Sequence, residues 1–93
     1  MITLDVCLLE QDTPKRLICD VRSIDGERRI INLVEHWLEV NRMKFGITSY
    51  DMITDFDSIT LVVDSKHLTG YVIDKLFERI NEYMLKQILA KLI

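Results

Sequence analysis

Apolar and polar positions alternate over residues 2–9, with Ile2, Leu4, Val6 and Leu8 on one side and Thr3, Asp5 and Cys7 on the other. A period of two marks a strand with one buried face. Gln11-Asp12-Thr13-Pro14 is turn chemistry, with Pro presetting φ. Alternation returns over residues 16–22, where Leu17, Cys19 and Val21 oppose Arg16, Ile18, Asp20 and Arg22. Two such runs around a short turn predict a hairpin.

Asp25-Gly26 is a tight-turn pair, so residues 27–31 read either as a third strand or as the approach to a helix. From Ile30 the period becomes helical. Ile30, Ile31, Leu33, Val34, Trp37, Leu38 and Val40 fall in one arc, opposite Asn32, Glu35, His36, Glu39 and Arg42. Asn32 followed by Glu35 matches a capping box that would start the helix at Leu33, and Gly46 marks its end. Residues 47–64 predict a second hairpin. Ile59-Thr60-Leu61-Val62-Val63 is the clearest strand in the chain. Its partner over residues 47–54 reads either as a strand or as a short helix capped by Ser49, and Asp55-Phe56-Asp57-Ser58 supplies the turn.

Ser65 or Thr69 then caps a helix running from about residue 66 to 92. Its apolar face shifts along its length. Ile73, Leu76, Phe77, Ile80, Tyr83 and Met84 share one side, opposite Asp74, Lys75, Glu78, Asn81 and Glu82. Beyond Met84 the large aliphatics are Leu85, Ile88, Leu89 and Leu92, and they fall where Asp74, Glu78 and Asn81 had been. One sheet cannot cover both arcs. A helix of this length, at ~1.5 Å per residue, also outruns a typical strand of ~17–20 Å. The second stripe is therefore the expected self-association surface, since exposed apolar patches mark contact sites.

The element order β, β, α, β, β, α predicts an α+β domain spanning residues 1–93. Its expected form is an antiparallel sheet of about four strands with two helices on one face. The expected core is Leu4, Val6, Leu8, Leu17, Val21, Val34, Trp37, Leu38, Leu61, Val63, Ile73, Phe77 and Ile80. With 3 glycines and 1 proline there is little material for linkers.

A net charge of −3 and basic residues present only as scattered pairs argue against direct nucleic-acid binding. No apolar run approaches the ~18 residues of a membrane helix, and the first residues lack the pattern of a secretory signal. The expected compartment is the cytoplasm. The phases of Cys7 and Cys19 put the two thiols on opposite sheet faces, so no disulfide is expected.

Chemistry is sparse in the pattern. His36 and His67 stand apart from any nucleophile, and both read as solvated side chains. Asp51, Asp55, Asp57 and Asp64 form the densest charge group. Asp55-Phe56-Asp57 begins like a hard-cation loop but lacks the glycine and closing glutamate of a calcium-binding loop. Two cysteines without clustered histidines do not make a zinc site. There is no glycine-rich phosphate loop and no nucleophile elbow. No catalytic residue, metal or cofactor is expected.

The favoured expectation is a non-enzymatic regulatory protein that pairs with itself through Leu85, Ile88, Leu89 and Leu92 and binds a further, unidentified protein. A second expectation is an acidic inhibitor of a nucleic-acid-processing complex, using Asp51, Asp55, Asp57 and Asp64 in place of phosphates. A third is a ligand sensor or small enzyme built on the sheet's other face, which requires a concave pocket with convergent polar groups.

Overall fold

Two hairpins and two helices alternate along the chain: β1 (Ile2–Leu8), β2 (Lys15–Cys19), α1 (Ile24–Val40), β3 (Ile47–Thr54), β4 (Ser58–Ser65) and α2 (Gly70–Leu92). The computed structural model describes residues 1–9, 13–19 and 24–92, and side chains at all of these but 24, 25, 88, 91 and 92. Val21, and most of the turn between β1 and β2, lie outside the described residues.

The strands lie in the order β2-β1-β4-β3. The two outer pairings are antiparallel, with Leu4 opposite Leu17 in one and Met52 opposite Leu61 in the other. The central pairing, β1 with β4, is parallel, and sets Leu4 beside Ile59 and Val6 beside Leu61. The sheet is thus mixed, which corrects the expectation of a wholly antiparallel one. The cause is topological. Helix α1 carries the chain from the end where β1 begins and β2 finishes to the opposite end, so the second hairpin enters inverted, and its second strand, β4, runs parallel to β1. The inner positions fall to β1 and β4, which each bury three aliphatic side chains, Ile2, Leu4 and Val6 in one and Ile59, Leu61 and Val63 in the other. The edges fall to β2, with Lys15 and Arg16, and to β3, with Ser49 and Asp51. Polar residues suit edges, because an apolar edge recruits unwanted strands.

Both helices cover the same sheet face. Ile2, Leu4 and Val6 of β1, Cys19 of β2, Ile47 of β3, and Ile59, Leu61 and Val63 of β4 are buried with Ile30, Val34 and Leu38 of α1 and with Ile73, Leu76, Phe77 and Ile80 of α2. Leu8, Leu17 and Trp37 pack against this core while remaining half-buried. The opposite face, with Thr3, Asp5, Cys7, Thr60 and Val62 at its centre, has no helix over it and no buried side chain among the described residues.

α1 begins at Ile24, nine residues before the expected start at Leu33. Residues 27–31 are helical, and Asp25-Gly26 lies in the first turn instead of forming a hairpin. A glycine inside a helix costs about 1 kcal/mol. Burial of Ile30 on the stripe that continues through Val34 and Leu38 outweighs that. Residues 47–54 are strand, with no helix capped at Ser49, because pairing with β4 turns Tyr50 and Met52 toward the core.

Two connections meet at one end of the sheet. The first helix ends at Val40, short of the expected stop at Gly46; Gly46 takes a left-handed φ of 59° at the close of the turn that follows, with Ile47 N donating to Arg42 O at 2.9 Å. Lys66 N and His67 N, after β4, donate to the carbonyls of Gly46 and Phe45. The Ser65 hydroxyl donates to Phe45 O at 2.6 Å and accepts from Leu68 N at 3.1 Å. Helix α2 starts at Gly70, four residues after the expected start near Lys66, because Thr69 is its cap: the Thr69 hydroxyl accepts from Val72 N at 3.4 Å and its carbonyl accepts from Ile73 N.

Gly46 gives a direct test. An added Cβ would meet Lys66 Cβ at 3.3 Å on a backbone that L-residues disfavour. Gly46→Ala should cost about 1–2 kcal/mol in urea unfolding, and Gly46→Asn less, since Asn tolerates this conformation. Equal stability of the alanine variant and the native chain would show that the left-handed turn is not maintained.

Candidate interaction surfaces

Helix α2 runs antiparallel to β4. Lys15 of β2 anchors its first turn, donating to Gly70 O at 3.2 Å and to Asp74 at 2.6 Å. The helix then crosses the sheet toward the end where β1 begins. Buried side chains stop at Ile80; Tyr83 and Met84 are half-buried. Twelve further residues to Leu92 extend about 18 Å at 1.5 Å per residue, with no buried side chain among those described. Leu85 is 57% exposed and Leu89 51%. These two members of the expected association stripe are bare. The side chains of Ile88 and Leu92 lie outside the described residues.

The four aspartates separate into two places. Asp51 of β3 and Asp64 of β4 are exposed on the open sheet face, where the register makes them diagonal neighbours, typically ~7–8 Å apart. Asp55 and Asp57 lie instead in the turn between β3 and β4 and do not follow each other along an extended strand. There Asp55 N donates to Ser58 O at 2.8 Å, and the Asp55 carboxylate accepts from Phe56 N at 2.7 Å. Phe56, at the tip, is 96% exposed. On the same open face Arg16 donates to Asp5 at 2.8 and 3.2 Å. That hydrogen bond, and then the carboxylate's charge, hold Arg16 still more firmly protonated.

A second polar group sits at the β3 edge. The Tyr50 hydroxyl donates to Glu39 at 2.9 Å, and Arg42 donates to the same carboxylate at 3.2 Å and to Thr48 O at 3.3 Å. Tyr50 is pushed above its ordinary pKa, first by burial and then by Glu39. This cluster ties the end of α1 to β3 and leaves no free nucleophile. His36 and His67 are exposed. Among the described residues no three His, Cys, Asp or Glu side chains converge to hold a metal. No helix of the described residues is long and apolar enough to cross a membrane.

Between α1 and α2, on the side away from the sheet, lies an open groove of about 300 Å³ lined by Leu33, His36, Trp37, Val40, Asn41 and Arg79. Trp37 stacks on Phe45 with ring centroids 6.0 Å apart, and Asn41 donates to Trp37 O at 2.8 Å. The helical periodicity of each segment places Trp37 and Arg79, but only the packing of the two helices brings them together. Phe56 carried a readable signal, since a tight turn has no need of an aromatic residue.

No protein-family model, curated protein or solved structure matches the chain.

The cysteines differ as their phases require. Cys19 is fully buried opposite Ile2, Cys7 is half-buried on the open face, and both are free. Burial pushes the Cys19 thiol up from 9.0 to about 11. The unfolded chain therefore loses this proton first as pH rises. The contribution is complete below pH 9 and is lost between pH 9 and about 11. The native chain should lose roughly 2–3 kcal/mol more than Cys19→Ala over that window. Parallel urea titrations of the two chains at pH 8.5 and about 11 measure the difference; equal losses would mean the thiol is not held in the core.

Proposed function

We propose that this chain is a small non-enzymatic interaction protein that pairs with itself through the end of α2 and, so assembled, binds and modulates a further protein. The observation that carries this reading is the exposure of Leu85 and Leu89 beyond Ile80, where burial ends. A helix that continues about 18 Å past its last fully buried residue packs against its own core only as far as Met84 among the described residues. Keeping aliphatic side chains on such a segment is favourable when another surface covers them.

The magnitudes set what the contact needs. Fully burying a leucine contributes roughly 1.5–3 kcal/mol. Leu85 and Leu89 are already about half covered, so two copies supply on the order of 3–6 kcal/mol in all. Association costs roughly 4–15 kcal/mol. The pairing therefore draws on the whole stripe, including Ile88 and Leu92, which share its phase in the sequence. Regulation by binding follows from the rest of the surface. The open sheet face carries Asp51, Asp64, Ile18 and Ile53 exposed, and this face is free for a partner when two copies join through α2.

Light scattering over a range of concentrations tests the pairing. The native chain should approach twice its 11.0 kDa mass, and Leu85→Glu/Leu89→Glu should be a folded monomer with little loss of thermal stability. A native chain that stays monomeric throughout would remove the reading.

A further inference from the structure

We infer that the groove between α1 and α2 receives the β3–β4 turn of a second copy, with Phe56 inserted beside Trp37 and Asp55 and Asp57 facing His36 and Arg79. The inference is separate from the pairing of α2 ends and uses none of the same residues.

Two surfaces on this molecule match in size and in charge, with Arg79 in one and Asp55 and Asp57 in the other. The groove is lined by the apolar side chains of Leu33, Trp37 and Val40, with His36 and Arg79 beside them. Neither of these two has an ion-pair or hydrogen-bond partner among the described residues. Its volume of about 300 Å³ is at the small end for binding pockets and suits a side chain more than a large ligand. The turn presents the matching object. Phe56 is 96% exposed between two carboxylates, and the backbone around it is held by the bonds of Asp55 N to Ser58 O and of Thr3 N to Asp57 O. The two ends of the turn are therefore tied before contact, which lowers the cost of docking. A tryptophan and an arginine in one recess are also the residue types that dominate binding hot spots.

The fold prevents a molecule from filling its own groove. Val40 and Asn41 lie where α1 leads into β3, whereas the turn lies at the far end of β3, eight residues on. The contact joins one end of a copy to the other end of the next. It is a head-to-tail contact between unlike surfaces, so it can propagate.

Trp37 is the only tryptophan in the chain and reports directly on the groove. Its emission should shift as the full-length chain is concentrated toward the millimolar range, and the shift should shrink with added salt. Phe56→Ser and Arg79→Glu should each abolish it while leaving the mass set by the α2 ends unchanged. Both positions are exposed, and circular dichroism confirms that each variant is folded. An equimolar mixture of the two variants should recover the shift, because the intact turn of one meets the intact groove of the other. Emission that is independent of concentration in the native chain, or a shift that survives both substitutions, would overturn the inference.

Discussion

The parallel pairing of β1 with β4 sets Leu4, Val6, Ile59, Leu61 and Val63 side by side on one face, and each of the two helices is folded against that patch. Neither hairpin provides such a surface alone. β1–β2 contributes two or three inward side chains per strand, and β3–β4 little more, which is too narrow to seat a helix. Joined through their inner strands, the hairpins make a platform four strands wide. α1 and α2 then lie across it, and Ile30, Val34, Ile73 and Ile80 become fully buried. The union also fixes the two ends of the molecule. Gly46 and Ser65 tie the connections at one end, and the β3–β4 turn and the free part of α2 occupy the other.

The asymmetry of this platform governs where contacts can form. One face is closed by helices; the other is open and carries charge, with Asp5 matched by Arg16 and with Asp51 and Asp64 unmatched among the described residues. Apolar groups left in solvent lie both on that face, at Ile18 and Ile53, and away from it, at Val40, Met43, Phe56, Tyr71, Leu85 and Leu89. Exposed surface ion pairs contribute about 1 kcal/mol or less, so they set orientation more than strength.

The sequence pattern is legible where a signal is local. Alternation in β1 and β4 and the inner arc of α2 all depend on residues close together in the chain, and the structure has each of them. What depends on spatial neighbours is not readable in this way. Parallel β1–β4 pairing leaves no mark in either strand's own alternation. Asp25-Gly26 reads as a turn because the buried stripe starting at Ile30 is what decides for helix, and that stripe exists only once the sheet does. Residues 47–54 stay undecided between strand and helix until β4 offers hydrogen-bond partners. The exposed Leu85 and Leu89 were legible from phase alone, whereas the groove joining Trp37 to Arg79 requires two helices to be seated first.

The free end of α2 is continuous with the buried part, which makes helical phase a physical link between core and periphery. Each residue turns a helix by ~100°. Inserting a single residue between Met84 and Leu85 would leave the residues packed on the core in place and swing the outer stripe through that angle relative to the sheet. Inserting seven would return it nearly to its original direction, about 10 Å farther out. The helix thus acts as a rigid shaft: the same side chains, carried on the same fold, point to a different quarter of space according to the count of residues between them and the core.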